Sequence, residues 1–109
     1  MDVPLQIAFH GIDHSDAVES SIRSAVDKLE KLNGGITGCR VAVESRNHEA
    51  ETRRASVRVR IDLTVPGTEL VVTEEPKNGN SHDLPGAVRR AFQTMERQLK
   101  DRRDRRHSR

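Results

Sequence analysis

Apolar and polar residues alternate along four stretches of the chain, and this alternation predicts four β-strands. The clearest stretch is 55–65, ASVRVRIDLTV, where every second residue from Val57 onward is apolar. Similar alternation marks 3–9, 36–46 and the shorter stretch 68–75. Because successive side chains of a strand point to opposite faces of the sheet, each predicted strand buries one face. A proline in the first of these stretches indicates an edge position or a strand start.

Two further stretches repeat apolar residues every three or four positions, which predicts two amphipathic helices. In the first helix, the buried stripe is expected to contain Val18, Ile22, Ala25, Leu29 and Leu32. In the second helix, it is expected to contain Leu84, Val88, Ala91, Phe92, Met95 and Leu99.

The ends of the first helix carry recognisable signals. Ser15 or Asp16 is expected to cap its N-terminus, and Asp16 with Glu19 has the spacing of a capping box. The Asn-Gly-Gly sequence at 33–35 is expected to end the helix, because these residues tolerate a positive φ.

The order β-α-β-β-β-α predicts the α+β class, with a four-stranded sheet and two helices packed on one face. The first strand is expected inside the sheet, next to the second and connected to it through the first helix. The last three strands are expected to form a meander. Residues 1–100 are expected to form one domain. Residues 101–109 are expected to form a basic, flexible C-terminal tail, because no apolar residue anchors the chain from Asp101 onward.

Charge is divided unevenly between the two parts of the chain. Residues 1–83 contain ten Lys or Arg against fourteen Asp or Glu, whereas residues 84–109 contain nine against three. Fifteen of the nineteen basic residues are Arg, whose planar guanidinium matches phosphate in a bidentate manner. A helix dipole accounts for two or three basic residues in a last turn, not for nine across the segment. The distribution therefore predicts an anionic partner.

The scarcity of aromatic residues narrows the kind of nucleic-acid binding that fits. The chain has no Tyr or Trp, and both Phe9 and Phe92 fall in predicted core stripes. Readers of single-stranded RNA stack bases on exposed aromatic side chains. We therefore expect phosphate-directed binding to structured RNA through the helices. The mixed charges on the outer sheet face are expected to be mainly solvated: Arg40, Arg46, Arg58, Arg60, Glu44 and Asp62.

The sequence gives little evidence for a catalytic site. The five histidines are scattered without metal-ligand spacing, and no glycine-rich phosphate loop is present. Cys39 falls on the core face of its strand, and Glu74 and Glu75 are adjacent, so they point to opposite faces. We therefore expect no enzyme activity, no metal site and no cofactor. The single cysteine and the absence of a signal-peptide pattern or spanning segment predict a cytoplasmic protein.

Three stretches together resemble the ribosome hibernation-promoting factor family, also called ribosome-associated inhibitor A or sigma-54 modulation protein. They are HGIDHSDAVESSIRSAVDKLEKL at 10–32, VRVRIDLTVPGTELVVTEE at 57–75 and DLPGAVRRAFQTMERQLKDRR at 83–103. The resemblance implies the same β-α-β-β-β-α fold. It also implies a protein that blocks translation and preserves idle ribosomes in stress or stationary phase. The chain stops without the additional C-terminal domain of long members, so it resembles the short form.

The resemblance implies binding to 16S rRNA in the mRNA and tRNA channel of the small ribosomal subunit. No membrane or small-molecule substrate is implied, and we expect a monomer when the protein is free. Basic residues of the two helices and the tail are the predicted RNA contacts: Arg23, Lys28, Lys31, Arg89, Arg90, Arg97, Lys100, Arg102 and Arg103.

Some features depart from the family pattern. Arg89 stands where the family usually has an aspartate, and Pro85-Gly86 is expected to delay the start of the second helix. Two other functions remain open at this point. One is a regulator that binds a protein through acidic patches, and the other is a general binder of structured RNA.

Overall fold

The computed structural model describes residues 4–47, 55–77 and 81–107. Its elements follow the predicted order. They are β1 (Leu5–His10), α1 (Asp16–Leu32), β2 (Gly38–Asn47), β3 (Ala55–Val65), β4 (Thr68–Glu74), a 3-10 turn (Ser81–Asp83) and α2 (Leu84–His107).

The four strands form one mixed sheet in the order β1-β2-β3-β4. β1 runs parallel to β2, which requires the crossover through α1, whereas β2, β3 and β4 form an antiparallel meander. Between β3 and β4, Gly67 has a φ of +88° in the two-residue turn that it forms with Pro66. The predicted α+β fold is confirmed. β1 lies next to β2 as expected, but it occupies an edge of the sheet and not a position inside it, and Pro4 directly precedes its first residue.

Both helices cover the same face of the sheet, and the core lies between these two layers. β2 and β3 contribute Val41, Val43, Val59, Ile61 and Leu63, all of which are fully buried. Complete burial of such a side chain contributes roughly 1.5–3 kcal/mol to folding. The central pair of strands thus provides much of the platform on which the helices rest.

The predicted stripe of α2 is correct, but that of α1 is partly wrong. Val26, which was not included in the predicted stripe, is fully buried, while Ala25 is only partly covered. Leu32 is 51% exposed. The buried residues of α1 lie on one side of the helix, and Leu32 falls at its border in the final turn.

Ser15 is the N-cap of α1. Its hydroxyl accepts a hydrogen bond from the Val18 N–H at 3.2 Å, which satisfies one of the free donors of the first turn. The capping box predicted for Asp16 and Glu19 is wrong, because Asp16 already lies in the helix. At the other end, Gly35 adopts a φ of +98°, as the Asn-Gly-Gly sequence predicted.

The start of α2 also differs from expectation. The helix begins at Leu84, so Pro85 and Gly86 lie in its first turn and do not delay it. Proline is tolerated there because a first-turn N–H has no partner within the helix. At its other end, α2 continues to His107, across the predicted domain boundary at residue 100. The flexibility of the tail stays a prediction.

Candidate nucleic-acid interface

The outer sides of α1 and α2 flank a cleft of about 470 Å³, which we call the interhelix groove. Three serines of α1 line one wall, and Arg89, Gln93 and Glu96 of α2 line the other. Val88, Phe92 and Leu29 form its apolar base. The two helices therefore present one continuous surface on the side away from the sheet.

Three cations of α2 form a row along its exposed side. Arg89, Arg97 and Lys100 are exposed, and they are spaced eight and three residues apart on the side of α2 opposite its buried stripe. We call them the α2 basic row. At 1.5 Å per residue, the row extends for about 16 Å along the helix. Within the described part of the chain, none of the three side chains makes a hydrogen bond or an ion pair.

The predicted contacts on α1 are less uniform. Lys31 is exposed and has no partner among the described residues. The Arg23 guanidinium pairs with Glu19 at 2.8 Å, while the Lys28 amine lies 4.0 Å from the Glu96 carboxylate across the groove. Hydrogen bonds from His14, and then from Arg23, lower the pKa of Glu19. Of the α1 cations, Lys31 is thus the most available to an external anion.

Arg90 has a different environment from Arg89, although the two residues are adjacent. Its guanidinium donates to Asp83 Oδ2 at 2.9 Å, to the Glu75 carbonyl at 3.0 Å and to Glu74 Oε1 at 3.4 Å. We call this set the Arg90 clasp. It joins α2 to β4 and to the segment that follows β4. The structure therefore places Arg90 in an internal network, away from the α2 basic row.

Asp83 and Gly86 complete the clasp. Asp83 Oδ2 also accepts a hydrogen bond from the Lys77 N–H at 2.7 Å, and this bond, followed by that from Arg90, lowers the Asp83 pKa. A Cβ atom at Gly86 would overlap the Asp83 carboxylate and lie 3.1 Å from Arg90 Nη1. Glycine at this position therefore lets the carboxylate and the guanidinium meet over the first turn of α2.

The two arginines near the end of α2 contact backbone carbonyls. Arg102 donates to the Pro66 carbonyl at 2.7 Å, and Arg103 donates to the Leu32 carbonyl at 3.3 Å. These bonds fasten α2 to the β3–β4 turn and to the last residue of α1. Sequence spacing gave no sign of them, because the partners lie 36 and 71 residues away.

A second cleft, of about 370 Å³, lies between the C-terminal half of α2 and the end of α1. We call it the leucine groove. Leu29, Leu32 and Leu99 form its floor. The remaining lining residues are polar or charged: Asn33, Glu96, Arg97, Lys100 and Arg103. The groove thus combines an apolar floor with a mainly basic rim.

Two arginine–carboxylate pairs lie on the outer face of the sheet among the described residues. Arg58 pairs with Glu44 at 2.9 Å, and Arg60 pairs with Asp62 at 2.9 Å. Arg40 is exposed, and the side chain of Arg46 lies outside the described residues. These pairs agree with the prediction of a solvated, mixed-charge surface, and they distinguish this face from the α2 basic row.

The chain matches the family described as "Sigma 54 modulation protein / S30EA ribosomal protein" over residues 5–107. The chain belongs to this family. The match includes every strand and helix of the fold, so the resemblance to the hibernation-promoting factor and sigma-54 modulation family is confirmed. No curated protein matches the chain.

Two solved structures share the fold of this family member. The N-terminal domain of Thermus thermophilus Protein Y is 20% identical, with a TM-score of 0.66 over 93% of this chain and 98% of that one. A ribosomal subunit interface protein from Coxiella burnetii is 14% identical, with a TM-score of 0.68 over 94% of this chain and 99% of that one. At these identities the likeness shows the fold alone.

The described residues of this family member hold no cluster of three or more metal-ligating side chains. Cys39 is buried in the core, and this burial raises the pKa of its thiol to about 12. Its thiol is therefore protonated at neutral pH and a poor nucleophile. Neither helix in the described ranges combines the length and apolar character needed to cross a bilayer.

Proposed function

We propose that this protein is a non-catalytic translation inhibitor and hibernation factor that binds the small ribosomal subunit. In this proposal, the helix face contacts 16S rRNA and the bound protein occupies the channel of mRNA and tRNA. The observation that carries the proposal is the α2 basic row, whose three cations are exposed and unpaired within the described chain. The description of the family as a ribosomal protein supports the same partner.

The chemistry of the row suits a phosphate backbone. Arg89 and Arg97 can each offer two parallel N–H donors to a phosphate, and Lys100 adds a point charge. Because these side chains make no ion pair with another described residue, an RNA phosphate does not have to displace a described carboxylate to reach them. By contrast, binding through Arg23 or Arg90 would cost the bonds to Glu19 or Asp83. We therefore assign the principal contacts to the α2 basic row and Lys31, with Lys28 at their border.

Sedimentation with purified small subunits tests the proposal. Arg89→Gln with Arg97→Gln should remove most of the binding at moderate salt. The matched control is Arg40→Gln with Arg60→Gln, which removes two arginines from the sheet face and should leave binding nearly unchanged. Equal losses from the two variants would show that the helix face is the wrong surface.

Competition distinguishes occupation of the channel from binding elsewhere on the subunit. An mRNA fragment with a cognate tRNA should displace the protein from the small subunit, and the displacement should increase with tRNA concentration. Binding that is unaffected by saturating mRNA and tRNA would contradict occupation of the channel. Equally tight binding to any RNA duplex would instead indicate a general binder of structured RNA.

A further inference from the structure

The leucine groove has a feature that phosphate binding alone does not explain. Leu32 is 51% exposed, and among the described residues only Val71 is another large hydrophobic side chain with comparable exposure. Val71 belongs to the separate edge strand β4. Leu32 is the last residue of α1 and lines the cleft between the two helices that carry the proposed RNA contacts. An apolar side chain is thus exposed within an otherwise polar and basic surface.

Three of the residues that form the rim of the leucine groove carry a positive charge, which favours anions. Arg97 and Lys100 belong to the α2 basic row and are unpaired within the described chain. Arg103 uses Nη1 to bond the Leu32 carbonyl at 3.3 Å, which holds its guanidinium at the mouth of the groove. Three cations therefore surround an aliphatic floor.

The apolar floor and the cationic rim favour ligand groups of different chemistry. A phosphate on the floor would lose its hydration against Leu29, Leu32 and Leu99 and would face the Glu96 carboxylate, which is unfavourable for an anion. A neutral, flat heterocycle can cover the leucines without that cost. Its neighbouring phosphates can then reach the rim. A nucleotide whose base is not paired meets both requirements.

We propose that the leucine groove receives an unpaired base of 16S rRNA, with the flanking phosphates bound by Arg97, Lys100 and Arg103. This inference rests on the proposed function and adds a single-stranded nucleotide to its partner. It also revises the expectation of purely phosphate-directed binding that the lack of aromatic residues suggested. Dispersion and desolvation on an aliphatic floor take the place of stacking on an aromatic ring.

Two RNA hairpins of equal length test the inference by fluorescence anisotropy at one fixed salt concentration. One hairpin is fully paired, and the other carries an unpaired adenosine bulge in its stem. We expect the native protein to bind the bulged hairpin about fivefold more tightly. Leu32→Ala should abolish this preference while retaining affinity for the paired hairpin. Since Leu32 is half exposed, the substitution leaves the core intact.

Two further variants make the result specific. Leu32→Phe should increase the preference for the bulged hairpin, because nucleic-acid bases stack favourably on aromatic rings. Val71→Ala removes a comparably exposed side chain outside the groove and should change neither affinity. Equal affinities of the native protein for the two hairpins would overturn the inference. A Leu32→Ala variant that loses affinity for both to the same extent would also overturn it.

Chemical probing of the small subunit identifies the source of the base. With saturating native protein, at least one unpaired 16S rRNA base should become protected from dimethyl sulfate, and Leu32→Ala should restore its reactivity although the subunit remains occupied. If Leu32→Ala weakens binding to the subunit but changes no base reactivity, the groove contacts a ribosomal protein and the inference is wrong. Failure of the native protein to bind the subunit at all would refute the proposed function instead.

Discussion

Arg89 and Arg90 show how strongly the role of a basic residue depends on its surroundings. The two residues are adjacent in the sequence, and both were predicted to contact RNA. Arg89 is exposed and unpaired within the described chain, whereas Arg90 is bound by Asp83, Glu74 and the Glu75 carbonyl. A count of charges treats the two residues alike, but their hydrogen bonds separate them.

Substitution of these two arginines by alanine should therefore change different properties of the protein. Arg90→Ala should lower the midpoint of thermal unfolding by a few degrees, because it leaves the clasp carboxylates without their cation. Arg89→Ala should leave that midpoint unchanged but weaken binding to the small subunit severalfold. Thermal unfolding followed by circular dichroism, together with sedimentation binding, checks both variants. A stable Arg90→Ala protein that has lost all binding would contradict this division of roles.

Cys39 should be inert in the folded protein. Its burial in the core raises the thiol pKa to about 12, so the reactive thiolate is rare at neutral pH. Ellman's reagent should label the native protein very slowly and the denaturant-unfolded protein rapidly. Labelling at the same rate in both states would show that the thiol is accessible and would contradict its place in the core.

At the scale of elements, the Arg90 clasp controls how α2 begins, and Gly86 makes the clasp possible. Gly→Ala inside a helix usually stabilises a protein by up to about 1 kcal/mol. Here Gly86→Ala should instead destabilise it, because the new methyl group would overlap the Asp83 carboxylate. Denaturant unfolding measures the change.

Two controls isolate this steric cause. Gly34→Ala introduces a methyl group with no heavy atom within 4 Å and should be neutral or slightly stabilising. Combined with Asp83→Ala, the Gly86→Ala substitution should lose most of its additional cost, since the overlapping carboxylate is gone. Additive effects in the double variant would rule out the overlap as the cause.

The same clasp predicts a pH dependence of stability. The Lys77 N–H and the Arg90 guanidinium lower the pKa of the Asp83 carboxyl in the folded protein below its ordinary value. A lowered carboxyl pKa stabilises the fold above the unfolded pKa, and this contribution is lost as the pH falls through the folded pKa. The native protein should thus exceed Asp83→Asn in stability at pH 7, and the difference should shrink from about pH 4 downward. A difference that is constant from pH 7 to pH 2 would contradict the role of the carboxylate.

The elements were predictable from the sequence to the extent that their periodicity was unambiguous. In β3 every second residue from Val57 to Val65 is buried, as strict alternation required. In α1 the choice between Val26 and Leu32 was ambiguous, because both border the apolar stripe and only the packing against the sheet and α2 decides between them. That single error concealed the exposed leucine on which the leucine groove depends.

At the scale of the whole molecule, the sequence indicated where positive charge accumulates. It did not indicate which cations are available to bind an external anion. The nine basic residues from position 84 onward were visible as a cluster. The hydrogen-bond partners of Arg90, Arg102 and Arg103 were not visible in the sequence, because they lie between 7 and 71 positions away. Such contacts arise only when the sheet brings the end of α2 beside α1 and the β3–β4 turn. Among the described side chains, the fold therefore separates the unpaired cations of the α2 basic row from Arg90, Arg102 and Arg103, which bond to other elements.

The salt dependence of binding to the small ribosomal subunit tests this account most directly. In a plot of log affinity against log salt concentration, each phosphate contact contributes a slope of about −0.7 for single-stranded nucleic acid and about −0.9 for double-stranded DNA. We predict a steep slope for the native protein, and a slope shallower by about two to three for the variant with Arg89, Arg97 and Lys100 all changed to Gln. Binding that is insensitive to salt, or an unchanged slope in the triple variant, would contradict the claim that the α2 basic row binds rRNA phosphates.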